Sequence, residues 1–198
     1  MKIFLILLRN QRIVEKKLNL YKLFLSIKIK MIKKIIFISI FFVGFFSTTL
    51  FASEPKSLGK YKNWEAFTFN DSKGKVCFAQ TIPTERSPKN LKNNTARLFV
   101  SFRKDEKIKN EISVTGGFTY KPTSVIAKSG KNEFAFTLAK GKFAWIQDQE
   151  EEFNLIKVMK KASKLSISAS TANGVKTKEL YSMMGFTKAY NTAKKSCA

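Results

Sequence analysis

Residues 132–147 read NEFAFTLAKGKFAWIQ. Apolar side chains recur at every second position, as Phe134, Phe136 and Leu138 before the Lys140-Gly141-Lys142 triplet and as Phe143 and Trp145 after it. Successive side chains of a strand point to opposite faces, so a period of two marks a half-buried strand, and a glycine between two such runs supplies the tight turn of a hairpin. The stretch predicts two antiparallel strands, with Phe134, Phe136 and Leu138 on one face and Trp145 in the core. The competing assignment for Trp145 is an exposed binding platform shared with Trp64.

The same period extends outward from this hairpin. TARLFVSFR (95–103) alternates Ala96, Leu98, Val100 and Phe102 with Thr95, Arg97, Ser101 and Arg103. NEISVTGGF (110–118) puts Ile112, Val114 and Phe118 on one side, and SKLSISAS (163–170) does so with Leu165, Ile167 and Ala169. YKNWEAFTF (61–69) and KVCFAQTI (75–82) are two further strands in which apolar residues occupy both faces. Asn173-Gly174 has the composition of a type I′ turn. Seven to nine short strands at this spacing fit a mainly β fold, an antiparallel sandwich or barrel-like domain.

Two helices interrupt the strands. DQEEEFNLIKVMKKA (148–162) offers Asp148 as N-cap with Glu151 three residues on, glutamates 150–152 at the positive end of the helix dipole and lysines 157, 160 and 161 at the negative end. Three consecutive carboxylates on a helix diverge by roughly 100° each. They are expected to complement the dipole and not to form a metal site or an acid pair. In the closing GFTKAYNTAKKSC (185–197), Phe186, Ala189, Tyr190, Ala193 and Cys197 form one apolar stripe at helical spacing.

The N-terminus divides the chain into three parts. MIKKIIFISIFFVGFFSTTLFAS (31–53) has two lysines, an uncharged apolar run and a small-residue exit, which is the pattern of a secretory signal peptide cut after Ala52. A retained membrane anchor is the rival, since about 20 apolar residues span a bilayer. Residues 1–30 precede a second methionine and are expected to be an overextended start outside the fold, with a basic amphipathic surface helix as the alternative. That leaves 53–198 as a single β-rich domain.

Residues 1–52 hold ten of the 37 basic and one of the 14 acidic residues, so 53–198 carries a net charge of +14. Such a balance attracts polyanions. Nucleic acid is a poor candidate, because the chain is read as exported and only five of its 37 basic residues are arginine. No partner follows from the residues; anionic envelope components or another envelope protein fit the charge.

The chain contains no histidine, which removes Ser-His-Asp and Cys-His catalysis and the commonest metal ligand. Two cysteines alone make no zinc site of the usual kind, and no phosphate-binding or dinucleotide motif is present, so no catalytic, cofactor-binding or metal residue is assigned. The acids Glu65, Asp71, Glu85, Asp105, Glu111, Glu133 and Glu179 carry no motif. An enzyme is disfavoured. An even cysteine count in an exported chain predicts a structural disulfide between Cys77 and Cys197, the alternative being two buried thiols.

Trp64, Cys77 in CFAQ, RLFVSF, GGF, the hairpin at 134–148 and the closing block with Gly174, Thr177, Tyr181, Ser182, Gly185, Phe186 and Cys197 together resemble the invasion-associated locus B family of alphaproteobacterial exported proteins. The resemblance runs from about Lys60 to Cys197. The family has leucine after Tyr-Ser where this chain has Met183, and an acidic residue near the place of Glu179. It implies an exported, β-rich, disulfide-bearing protein of the periplasm or outer envelope and brings no catalytic set. Three functions follow as expectations: a non-enzymatic binding or envelope-interaction role, an adhesion or host-invasion factor on the outer surface, and, third, a hydrolase built on two carboxylates in one cleft.

Overall fold

The computed structural model describes residues 25, 26, 28–32, 54–89 and 95–198. They belong to two compact units, 1–51 and 52–198. In the first, residues 25, 26 and 28–32 are helical and exposed; the apolar run from Ile35, the cut after Ala52 and residues 1–24 lie outside the described residues. No described helix is long and apolar enough to cross a membrane.

The second unit is a mainly β, sandwich-like fold of twelve strands. In chain order these are β1 (Lys56–Tyr61), β2 (Trp64–Asp71), β3 (Gly74–Thr81), β4 (Glu85–Ser87), β5 (Arg97–Arg103), β6 (Ile108–Thr115), β7 (Val125–Ser129), β8 (Asn132–Phe136), β9 (Leu138–Lys140), β10 (Phe143–Trp145), β11 (Lys164–Ser170) and β12 (Lys176–Ser182). Helix α1 (Gln149–Lys161) joins β10 to β11, and α2 (Phe186–Ser196) follows β12 at the C-terminus. One sheet has the order β1-β2-β3-β5-β6-β10-β9 and the other β4-β12-β11-β7-β8. The strands that spacing does not predict are β1, β4, β7 and β12, together with β9 as a strand separate from β8; β4 and β9 have three residues each, too few to show an alternation of their own.

The period-two faces meet between the sheets. Leu98, Val100, Ile112 and Val114 from the larger sheet share one core with Val125, Ala127, Phe134, Phe136, Leu165 and Ile167 from the smaller. Helix α2 closes the cluster with the predicted stripe, as Phe186, Ala189, Tyr190, Ala193 and Cys197 are all buried. Asp148 caps α1 as expected, its Oδ1 accepting from the backbone N–H of Glu150 at 2.8 Å and of Glu151 at 3.0 Å.

Three expectations change. Residues 132–139 do not form one strand: β8 ends at Phe136 in the smaller sheet and β9 starts at Leu138 in the larger. The crossing at Thr137 reverses the phase, so Phe134 and Phe136 are buried while Leu138 is 42% exposed. The hairpin at Gly141 does form, with Lys140 paired to Phe143 and Gly141 at φ +60°, yet Ala144 is its buried residue, and Phe143 and Trp145 face outward. Trp145 is therefore not core. At Asn173-Gly174 the loop runs from Thr171 to Val175 and positive φ occurs at Gly174 but not at Asn173, so the turn is not type I′.

Candidate functional site

Of the predicted motif residues, Trp64, Ser182, Gly185 and Phe186 meet at the junction between β2, β12 and α2, whereas Gly174 and Thr177 lie at the other end of β12 and Cys77 on β3. Trp64, at the start of β2, is completely buried; its Nε1–H donates to the Ser182 carbonyl at 2.9 Å and its ring lies 4.7 Å from that of Phe186. Gly185 stands at φ +94° against the Tyr61 carbonyl, where any Cβ would overlap the backbone of β1. Thr177 is buried and its hydroxyl donates to the Ala169 carbonyl across the β11–β12 pair. Gly174 turns the loop. Cys77 and Cys197 form a disulfide with Cα atoms 5.8 Å apart, tying the end of α2 to β3. Each of these residues is occupied in holding the fold.

A buried polar cluster lies beside them. Glu179 on β12 points into the core, 2% exposed; its Oε1 pairs with Arg86 Nη2 at 2.6 Å, and its Oε2 accepts from the Tyr181 hydroxyl at 2.7 Å. The same Arg86 nitrogen donates to the Gly116 carbonyl at 2.7 Å. Burial, then the Glu179 charge, pushes the Tyr181 hydroxyl well above its usual range and does the same to Tyr120. These phenols stay protonated, and the Tyr181 hydroxyl donates to Glu179.

The outer face of the larger sheet is different in kind. Strand register puts Phe67 directly opposite Phe78, Phe69 opposite Val76, and Phe99 opposite Gln80. The Phe78 ring lies 5.2 Å from Phe67 and 6.1 Å from both Phe69 and Phe99. Across β6, Trp145 is paired with Ser113 and Leu138, and its ring stacks on that of Phe143 at 5.7 Å. Thus two aromatic clusters flank a column of small residues, and Ser113 and Thr115 in that column are buried. Phe143 is 40% exposed and the four phenylalanines of β2, β3 and β5 are half-buried. Charged side chains surround the clusters: Lys60 and Glu65 on one side, Arg97, Arg103, Glu111 and Lys140 on the others. Soluble surfaces rarely gather apolar side chains into one contiguous area without a use for it. The signal was present in the strands with apolar residues on both faces; in 95–103 it was Phe99, the one apolar residue in the polar phase.

At the β6–β9–β10 end this face becomes a groove of about 600 Å³, lined by Glu111, Leu138, Lys140, Trp145, Gln149 and Glu152 among others. The triple glutamate is thus not wholly spent on the dipole, because Glu152 Oε1 accepts from the backbone N–H of Ile112 at 2.9 Å and ties α1 to β6. Burial raises the Glu152 carboxyl from the ordinary 4.5 to about 7, opposed by the Ile112 hydrogen bond and reinforced by the charges of Glu111 and Asp148. Glu111 is also raised, chiefly by burial and against the pull of Arg103. Among the described residues no group of three or more carboxylates and cysteines could hold a metal ion.

No protein-family model, curated protein or solved structure matches the chain.

Proposed function

We propose that the chain is an exported envelope protein of the invasion-associated locus B type, without enzymatic activity, whose outer aromatic face docks another envelope protein. The single observation that carries this is the pair of aromatic clusters on the solvent side of the larger sheet. Protein interfaces concentrate aromatic residues at their centre within a polar, charged rim, and that is the arrangement of Phe67, Phe78, Phe99, Phe143 and Trp145 inside Lys60, Arg97, Arg103 and Lys140. The motif residues support the fold beneath this face and leave it free. The Cys77–Cys197 bridge agrees with a periplasmic location, because such bonds persist in oxidising compartments.

The test is recovery of partners from envelope extracts by the wild-type protein, by Phe99→Asp and by Trp145→Asp, each checked by circular dichroism. A partner held by the wild type and lost with both variants supports the reading; a partner retained by both, or none recovered at low and moderate salt, overturns it.

The groove favours a second reading, hydrolysis by two carboxylates, in which Glu152 holds a proton near neutrality and Glu111 activates water. Release of reducing ends from envelope polysaccharide, abolished by Glu152→Gln, would establish it; no release by the wild type would remove it.

A further inference from the structure

The outer face of the smaller sheet has a chemistry of its own. Ser166, Ser168 and Ser170 alternate along β11 with the buried Leu165, Ile167 and Ala169 and so point away from the core. Register sets Ser168 opposite Lys178, Ser170 opposite Lys176, Ser166 opposite Lys128 and, at the other side of β12, Lys178 opposite Ser87. The outward serines of β11 therefore each have a lysine as a cross-strand neighbour. Between them runs a shallow cleft of about 400 Å³, lined by Ser87, Ser124, Ser168, Ser170, Lys176 and Lys178, with no carboxylate in its lining.

The Ser124 and Ser166 hydroxyls donate to backbone carbonyls, and the cleft's other donors are uncommitted. Among the described residues Lys176 and Lys178 have no ion-pair partner, and the hydroxyls of Ser87, Ser168 and Ser170 make no hydrogen bond. Two acidic side chains border the cleft: Glu85, opposite Leu180 in the outward pair next to Ser87–Lys178, and Glu133, already held by Lys128 at 2.7 Å. The buried Glu179 points the other way and is paired with Arg86. An ammonium and a hydroxyl on neighbouring strands sit about 4.8 Å apart at the backbone, and the next such pair lies about 6.8 Å along the strand. A tetrahedral phosphate oxyanion can accept from both members of a pair, and two phosphates side by side can occupy both pairs. Ile126 and Leu180, half-buried and outward on the same face, adjoin the cleft and offer apolar contact beside it.

We infer that this Ser/Lys face binds the phosphate headgroups of an anionic lipid surface. The phosphates would sit in the β4–β12–β11 cleft, and the aromatic face, on the opposite side of the sandwich, would be directed away from the membrane. The inference is independent of the aromatic docking face and of either reading given to it. The unneutralised lysines of the Ser/Lys face and its two adjoining aliphatic residues favour a lipid surface over free phosphate.

The experiment is co-sedimentation of the full chain with vesicles of phosphatidylcholine alone and of phosphatidylcholine with phosphatidylglycerol. The first vesicles measure the apolar contribution of residues 1–52; the response of their ten basic residues to anionic lipid is common to the wild type and every variant. Added phosphatidylglycerol should strengthen binding in a salt-sensitive manner, and the double variant Lys176→Gln/Lys178→Gln should lose roughly tenfold or more of that gain. Lys157→Gln/Lys161→Gln removes the same charge from α1 and should cost far less; Phe99→Asp, which lowers the net charge by one on the opposite side of the sandwich, should cost no more than the α1 pair. An equal loss from the α1 pair would reduce the effect to net charge and overturn the site. Unchanged binding by Lys176→Gln/Lys178→Gln would overturn it too. Inorganic phosphate is titrated in parallel: lysine-dependent phosphate binding without any gain from phosphatidylglycerol overturns the lipid assignment in favour of a soluble phosphate ligand.

Discussion

The indole Nε1–H of Trp64 donates to the main-chain carbonyl of Ser182 at 2.9 Å, joining the first residue of β2 to the last residue of β12 across 118 positions of sequence. The two strands belong to different sheets, so this bond and the tilted ring contact of Trp64 with Phe186 fasten one sheet, the other sheet and the C-terminal helix at a single point. Replacing Trp64 with phenylalanine keeps much of the ring and deletes the donor. The stranded carbonyl should cost about 1–3 kcal/mol, with a further contribution from the space left by the smaller ring. Urea denaturation of the variant measures it, and an unchanged midpoint would mean that the junction adds nothing to stability.

The disulfide ties the end of α2 to β3 across a separation of 120 residues. In the chain-entropy model a loop of that length stabilises by roughly 4–5 kcal/mol, an upper figure because strain and residual structure in the unfolded chain reduce it. Cys77→Ala/Cys197→Ala should therefore lower the denaturation midpoint sharply. Reductant should do the same to the wild type and leave the variant unaffected. Equal stability with and without reductant would show that the helix holds without its bolt.

Much of this architecture could be read from spacing alone, and the reason is visible in the residues. Leu98, Val100 and Phe102, or Phe186, Ala189, Tyr190 and Ala193, are buried on one side of one element, and a simple period reports that directly. Thr137 defeats it, because a chain that leaves one sheet and enters another changes phase without changing composition. The aromatic face was harder still. Phe67, Phe78 and Phe99 lie on three strands, and only the register of β2, β3 and β5 brings them together. The partnership of Glu111 with Glu152 depends on α1 docking beside β6, which neither segment encodes on its own.

Glu179 and Arg86 carry opposite charges in the core, 3% and 16% exposed at their side chains, with the Tyr181 hydroxyl on the second carboxylate oxygen. Removing one charge strands the other, so Glu179→Leu alone or Arg86→Met alone should cost about 3 kcal/mol or more. Replacing both with apolar residues of similar size leaves no orphaned charge, and the double variant should be more stable than either single one. A double-mutant cycle by chemical denaturation gives the coupling. Additive losses would mean that the two residues act independently.

Glu152 makes stability depend on pH, and the direction follows from its raised carboxyl. In the folded chain it holds a proton up to about pH 7, whereas unfolded it releases that proton near the ordinary 4.5. Between these values the folded state binds more protons than the unfolded one, so stability from this group is highest below the window, falls as pH rises through it and is level above. Arg103, Lys107, Lys109 and Lys140 line the same groove and attract the ionised form, while Glu111 and Asp148 oppose it. Glu152→Gln keeps an oxygen to accept from the Ile112 N–H and removes the titration. Its denaturation midpoint should therefore change less than that of the wild type between about pH 5 and about pH 8, and at the upper pH it should equal or exceed the wild type. If the variant shows the full wild-type pH dependence, the slope belongs to Glu111 or another carboxyl. If it is instead weaker at every pH, the ionised form of Glu152 is what holds α1 to β6.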